Sequence, residues 1–286
     1  MMKNILEVKN LQKSYSDFVL GPISTCFPGG VIIGLIGENG AGKTTFIKSL
    51  LGIIQSEGSI QIFGRDMNEE AREIKEDIGV VLDNSFFPEV MTANDIHKIM
   101  KNLYKNWDPG LFFSYLDKFS LPRNKAIKTF SKGMRKKLEI VTSLSHHPKF
   151  LILDEPTSGL DPIVRKEVLD LFLDFIQDEE HTLLLSTHIT SDLEHIADYI
   201  LFLDKGHIVL EETRDDIMDN YGILKCGIEE FSSIAKGDVI RFLKNKYGYE
   251  ILVKNPELLK KKYPKMVMDK ITLEELMVLL VKGSVL

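Results

Sequence analysis

One run limits this chain more than any other feature: Gly37-Glu38-Asn39-Gly40-Ala41-Gly42-Lys43-Thr44, a match to the pattern G-x-x-x-x-G-K-[ST]. A strand-like apolar stretch, Val31 to Ile36, leads into it, and a helix-like stretch, Thr45 to Leu51, leads out. In that setting the glycines let the backbone wrap inward, so that its N–H groups face one point. The helix N-terminus adds favourable potential there, and the result suits phosphate oxygens. The expected binding residues are Gly37, Glu38, Asn39, Gly40, Ala41, Gly42, Lys43, Thr44 and Thr45. Lys43 is expected to reach the outer phosphates of a nucleoside triphosphate, and the Thr44 hydroxyl to sit on Mg2+.

A site of this kind needs an acidic residue at the end of a second buried strand. Phe150-Leu151-Ile152-Leu153-Asp154-Glu155 supplies it. Asp154 is the expected metal-side carboxylate, and Glu155 the group that polarises an attacking water. Two more short apolar runs, Leu183 to Leu185 and Ile200 to Leu203, resemble strands buried on both faces, as in a parallel sheet covered by helices. Helical patterns alternate with them over Asn68 to Glu76, Ile163 to Asp178 and Ser191 to Ala197, which argues for an α/β fold. Leu6 to Val8 and Leu11 to Tyr15 alternate apolar with polar residues, as antiparallel strands do.

Texture changes twice along the chain. From about residue 85 to 147 it is rich in Lys, Asn, Phe and Leu, with helical periodicity over Ala93 to Tyr104 and Leu111 to Phe119, which reads as a helical insertion. After Glu212 the alternation fades, so residues 1–212 read as the main domain and 213–286 as a small C-terminal accessory region. Thr272 and Glu275 are spaced there like a capping box ahead of an amphipathic close. The basic stretches Arg135-Lys136-Lys137 and Lys260-Lys261-Lys262 read as solvated surface.

Composition sets the outer limits. Of 286 residues, 44% are hydrophobic and 27% charged, which is ordinary globular usage and excludes disorder as the main state. The net charge of −6 disfavours a nucleic-acid partner. Two distant cysteines, Cys26 and Cys226, make neither a zinc cluster nor a disulfide framework and fit a reducing compartment. The opening Met1-Met2-Lys3-Asn4-Ile5-Leu6-Glu7 meets an acid before any signal-like apolar region, and no run approaches the ~20 residues of a membrane span.

Four further segments carry a resemblance. Phe130-Ser131-Lys132-Gly133-Met134-Arg135 resembles the signature motif of ATP-binding cassette (ABC) ATPases, Ser158-Gly159-Leu160-Asp161 resembles their D-loop, and Ser186-Thr187-His188 their switch histidine. Tyr15 sits where that family stacks an aromatic ring on adenine. Order and spacing agree over residues 1 to about 215. The resemblance implies a P-loop NTPase cassette: a RecA-like sheet core, an antiparallel β subdomain and an inserted helical subdomain, followed here by the accessory region. It implies ATP and Mg2+ as ligands and a second cassette copy. The signature residues Ser131, Lys132, Gly133 and Met134 would then serve the ATP of the opposite subunit. Asp161 would bridge the subunits, and His188 would act with Glu155 in catalysis.

Two departures stand out. Asp83 occupies the position where the family usually carries a metal-contacting glutamine; its carboxylate is still a hard oxygen donor for Mg2+. Lys132 and Met134 replace the commoner glycine and glutamine. With the segment Asp83 to Glu89, these variants resemble the cassette subunits of ABC-2 type exporters of antibiotics or peptides, phenol-soluble modulin exporters among them. Such a subunit works at the cytoplasmic face of the membrane through a separate permease, whose cytoplasmic helix would enter a groove near Phe86, Phe87 and Pro88. An import cassette shares every catalytic residue. A soluble cassette ATPase is a third reading, though such proteins generally carry coiled-coil insertions, zinc modules or paired cassettes, none of which is visible here.

Overall fold

The computed structural model describes residues 4–83 and 87–286; the readings above that fall on residues 1–3 or on Asn84, Ser85 and Phe86 lie outside the described residues. From the N-terminus, β1 (Asn4–Ser14) and β2 (Val19–Pro28) pair antiparallel, and β3 (Ile32–Ile36) runs through the glycine loop into α1 (Lys43–Leu50). Next, β4 (Glu57–Ile62) and β5 (Arg65–Asp66) complete an antiparallel sheet ordered β2-β1-β4-β5. The short α2 (Ala71–Glu76) and β6 (Ile78–Val81) follow. The helix expected from Asn68 begins only at Ala71, because the Asn68 N–H donates to the Asp66 carboxylate at 2.7 Å and holds that stretch in a turn.

The insertion contributes α3 (Ala93–Leu103), α4 (Pro109–Lys118) and α5 (Lys132–Leu144). Thr92 and Asp95 form a capping box on α3, and Asp108 caps α4 ahead of Pro109. Strands and helices then alternate: β7 (Phe150–Asp154), α6 (Pro162–Phe175), β8 (Thr182–Thr187), α7 (Thr190–Ile196), β9 (Tyr199–Asp204) and β10 (His207–Thr213). The central sheet is ordered β10-β9-β3-β8-β7-β6, parallel except for the β9–β10 pair.

Side chains alternate between the faces of a strand, and the two cores follow from that period. Ile33, Leu35, Ile152 and Leu184 face the antiparallel sheet and α1, in one cluster with Leu6, Leu20 and Phe46. Ile32, Ile36, Leu151, Leu153, Leu183 and Leu185 face the other way, in a cluster with Val168, Phe172 and Leu193. Both faces of the sheet are covered, which is why these strands read as unbroken apolar runs.

Residues beyond β10 fold as α8 (Arg214–Asn220), β11 (Tyr221–Cys226), β12 (Arg241–Lys244), β13 (Tyr249–Lys254), α9 (Pro256–Lys262), β14 (Val267–Lys270) and α10 (Leu273–Lys282). The strands make an antiparallel sheet ordered β12-β13-β11-β14. The Thr272–Glu275 capping box is present on α10. Ile217, Tyr221, Ile223, Leu252, Leu273 and Leu276 join the same apolar cluster as Val168, Phe172 and Leu193, so this module shares a core with the central sheet.

One surface expectation is corrected. Lys136 is buried at 5% exposure; its ammonium donates to the Leu82 carbonyl at 3.2 Å and pairs with Glu139. The face of α5 that carries it turns toward β6, so the charge is paired instead of solvated. Arg135 pairs with Glu89 at 2.8 Å and Lys137 with Glu167.

Candidate active site

The glycine loop leaves β3 at the carboxyl edge of the sheet. Gly42 has φ 111°, and a Cβ there would lie 2.8 Å from the Phe18 ring; a Cβ on Gly37 would lie 2.3 Å from the Leu203 carbonyl oxygen. Both positions therefore require glycine, for opposite reasons: one for its backbone angle, the other for close approach. Lys43, 6% exposed, donates to the Gly37 carbonyl at 2.7 Å and to the Glu38 carbonyl at 3.3 Å, and its ammonium lies 3.5 Å from Glu155 Oε1.

The neighbouring strands complete the site. Asp154 ends β7 fully buried, where its two oxygens are separately held: Thr44 Oγ1 donates to Oδ2 at 2.7 Å and Ser186 Oγ, on β8, to Oδ1 at 2.5 Å. Glu155 follows with φ 51°, a left-handed angle that costs a non-glycine residue of the order of 1 kcal/mol. That turn, held by the Glu155 N–H donating to the Ser186 carbonyl at 2.9 Å, aims its carboxylate across the strand ends. His188 Nδ1 lies 2.7 Å from Glu155 Oε2. Lysine, two carboxylates, threonine and histidine thus converge from β3, β7 and β8, the position where open α/β sheets bind ligands.

A cleft in front of the loop is lined by Phe18, Glu38, Asn39, Gly40, Gly42, Lys43, Thr44, Thr45, Asp83 and Glu155. Asp83 is exposed and reaches this cleft. Tyr15 does not line it: the ring is 47% exposed with the Lys13 ammonium 5.5 Å from its centroid. Phe18, joined to Tyr15 by a turn in which Tyr15 N–H donates to the Phe18 carbonyl at 2.8 Å, is the aromatic residue that lines it. Ser131, Lys132, Gly133, Met134 and Asp161 lie outside the cleft. Ser131 caps α5 by accepting from the Met134 N–H, and Asp161 caps α6 by accepting from the N–H groups of Ile163 and Val164; both are exposed.

Sequence reasoning missed three groups. Phe18 carries no motif. Ser186, quoted only as a neighbour of His188, is revealed by the parallel register that sets it beside Asp154. Asp192, 2% exposed, accepts from Thr157 Oγ1 at 2.7 Å and from Arg165 Nε at 2.6 Å, tying the loop after Glu155 to α6 and α7.

A glycine loop beneath a buried lysine, with carboxylates at the end of β7 one strand removed in the same sheet, defines a P-loop nucleoside triphosphatase. Comparison with known proteins narrows this. Residues 20–158 match the family model described as ABC transporter. The lantibiotic transport ATP-binding protein SrtF of Streptococcus pyogenes is 36% identical over 215 residues, which cover 74% of this chain and 92% of SrtF. The bacitracin transport ATP-binding protein BcrA of Enterococcus faecalis is 31% identical over 215 residues, covering 74% of this chain and 70% of BcrA. Among solved structures, an ATP-binding subunit of an ABC transporter superposes with a TM-score of 0.67 at 28% identity, covering 74% of this chain and 91% of the other. A dimeric cassette bound to ADP and phosphate shares the fold, with a TM-score of 0.65 at 20% identity over 73% of this chain and 98% of its own. The chain belongs to the ABC transporter ATP-binding family: it is an ATP-binding cassette with ATPase activity.

Proposed function

We propose that this cassette is the ATP-hydrolysing motor of an exporter, driving a separate membrane permease that expels a peptide or antimicrobial. The observation that carries the catalytic part is the convergence of Lys43, Thr44, Asp154, Glu155 and His188 at three adjacent strand ends. The export part is supported by SrtF and BcrA, named for lantibiotic and bacitracin transport. Among the described residues no helix is long and apolar enough to cross a membrane, so a cargo path needs another protein. In this reading the cassette works at the cytoplasmic face of the membrane.

In this reading the loop amides and Lys43 hold the phosphates, and Phe18, with Tyr15 beside it, meets the base. The Thr44 hydroxyl and Asp154 Oδ2, 2.7 Å apart, with Asp83 on the same cleft, are hard oxygen donors that fit Mg2+, which when bound supplies charge neutralisation at the phosphates. Glu155 takes a proton from a water whose oxygen bonds to the γ-phosphorus as the bond from that phosphorus to the β–γ bridging oxygen breaks and ADP leaves, and His188, bonded to Glu155, holds that water in line. The ammonium–carboxylate contact between Lys43 and Glu155 must open when phosphate enters. The exposed Ser131 turn, a helix N-terminus outside the cleft, serves the nucleotide of a second copy, and Asp161 meets that copy beside it.

Membrane vesicles carrying this chain and the permease from the neighbouring reading frame test the proposal. ATP-dependent efflux of a lanthionine peptide or other amphipathic peptide, lost in Lys43→Ala, is expected. A solute-binding protein as required partner, with inward transport, would overturn export.

A further inference from the structure

Asp192 stands in the first turn of α7 with only 2% of its surface exposed, and groups from two other segments meet on its carboxylate. Thr157 Oγ1 donates to Oδ2 at 2.7 Å, and Arg165 Nε donates to Oδ1 at 2.6 Å. The guanidinium also donates through Nη2 to the Ser191 hydroxyl at 2.9 Å, so its planar head is fixed in orientation as well as in charge. Thr157 is fully buried, and the Arg165 side chain is mostly so.

Each member of this clamp lies close in sequence to a group with a part in the reaction. Thr157 is two residues after Glu155, Arg165 four after Asp161, and Asp192 four after His188. Backbone bonds stiffen each of these short spans. Ser158 N–H donates to the Glu155 carbonyl at 3.3 Å, and Leu160 N–H to the Thr157 carbonyl at 3.2 Å. Arg165 N–H donates to the Asp161 carbonyl at 2.9 Å, closing the first turn of α6, and Asp192 N–H donates to the Ile189 carbonyl at 3.2 Å, closing the turn after His188.

A buried carboxylate–guanidinium pair adds little net stability, because removing both ions from water offsets their attraction. What it fixes is geometry, since such bonds weaken steeply once the donor angle is lost. A displacement of the first turn of α6 therefore carries Arg165, and with it the Asp192 carboxylate and the segment that follows His188. Through Thr157 the same carboxylate holds the loop that aims Glu155. Glu155 Oε2 and His188 Nδ1, 2.7 Å apart, are thus joined twice: directly, and through the clamp behind them. The left-handed angle of Glu155, φ 51°, persists only where its surroundings hold it, and the Thr157 bond is one such restraint.

We propose that Asp192 is a positioning residue: with Thr157 and Arg165 it links Asp161 to the Glu155–His188 pair, so that arrival of the second copy at Asp161 sets the alignment of the attacking water. The inference rests on the catalytic and two-copy readings given above. The clamp touches no phosphate and no base, so its loss acts on the chemical step and not on nucleotide affinity.

The test uses the full chain, with turnover and nucleotide affinity measured separately. Thr157→Val removes the hydroxyl at nearly the same shape, and Thr157→Ser keeps it. In Thr157→Val, kcat is expected to fall by about tenfold or more with ATP affinity within about twofold, while Thr157→Ser stays within about threefold of the unaltered chain. A purely structural role lowers the melting temperature and leaves kcat of the folded fraction unchanged, and that result overturns the clamp. The second readout is additivity. Asp161→Ala lowers turnover by itself, and adding Thr157→Val is expected to lower it little further, because both changes break one link; losses that multiply overturn the link. Should Thr157→Val misfold, Arg165→Gln, whose side chain reaches solvent, takes its place in both measurements with the same outcomes. If Glu155→Gln abolishes turnover and traps a dimer while the clamp variants turn over normally, the clamp falls and the catalytic reading stands; if Glu155→Gln itself turns over normally, the catalytic reading falls as well.

Discussion

At the carboxyl ends of β3, β7 and β8, side chains are held by polar bonds that cross from strand to strand, while residues 214–286 are held to the same sheet by interlocked apolar surfaces. Asp154 receives one donor from α1 and another from β8, and Glu155 is shared by Lys43 and His188. In the C-terminal module, Tyr221, Ile223, Leu252 and Leu276 enter a cluster with Val168 and Phe172, and polar ties such as Leu273 N–H to Glu194 at 2.7 Å and Tyr221 Oη to Glu212 at 2.8 Å lie at its margin. On the function proposed above, the difference teaches that one region sets a rate and the other a stability. Hydrogen-bonded carboxylates at a cleft can change chemistry with little change in packing, whereas buried leucines carry most of their worth as area removed from water.

That contrast can be broken by a double dissociation. Glu155→Gln is expected to lower ATP turnover by about 10²–10⁴-fold while leaving ATP affinity and melting temperature near those of the unaltered chain, and to trap an ATP-bound dimer. Steady-state ATPase, nucleotide titration and gel filtration check it; wild-type turnover would remove Glu155 from its role. Leu276→Ala should do the reverse, costing about 2–5 kcal/mol in denaturant titrations with catalysis retained in the folded fraction. If it abolished turnover while leaving stability intact, the division would fail.

A finer probe is pH. His146 is buried neutral, with its pKa lowered to about 4 from an ordinary 6.5, chiefly by desolvation. The unfolded chain therefore binds the proton first. Stability is fully present above about pH 6.5 and is lost as pH falls toward 4, by up to about 3 kcal/mol from this residue. Chemical unfolding of the unaltered chain and of His146→Gln at pH 7 and pH 4.5 measures this, the variant lacking that part of the slope. The smallest effect expected is from Thr272→Ala, which removes the α10 cap for about 1 kcal/mol and leaves ATP turnover untouched.

The site was more legible in the sequence than the fold around it. Gly37–Thr44 and Phe150–Glu155 announce themselves because strand, loop and functional side chain are contiguous. Ser186 and Asp192 act through partners 27 to 35 residues away in the chain, Asp154, Thr157 and Arg165, so no local pattern marks them. Phe18 is one apolar residue in a turn until the fold brings it against Gly42. The C-terminal sheet hid for a related reason: β12 and β14 are four residues each, and β11 finds its partners β13 and β14 only after long connections. Lys136 shows the converse failure, a residue whose charge suggests solvent and whose helix face is buried.

What the amino-acid order alone determined is the local chemistry: a phosphate-binding loop, an acidic strand end, a capped signature helix and the alternation of strands with helices. Each depends on neighbours within a turn or a strand, where backbone geometry follows from residue type. Tertiary structure alone decided which strands adjoin, and so which hydroxyl steadies Asp154. It also decided that residues 214–286 share a core with the cassette and that Asp192 meets Thr157 and Arg165. Those outcomes depend on burial and on contacts between distant segments, and a residue's type does not say which side of its helix the rest of the chain will cover.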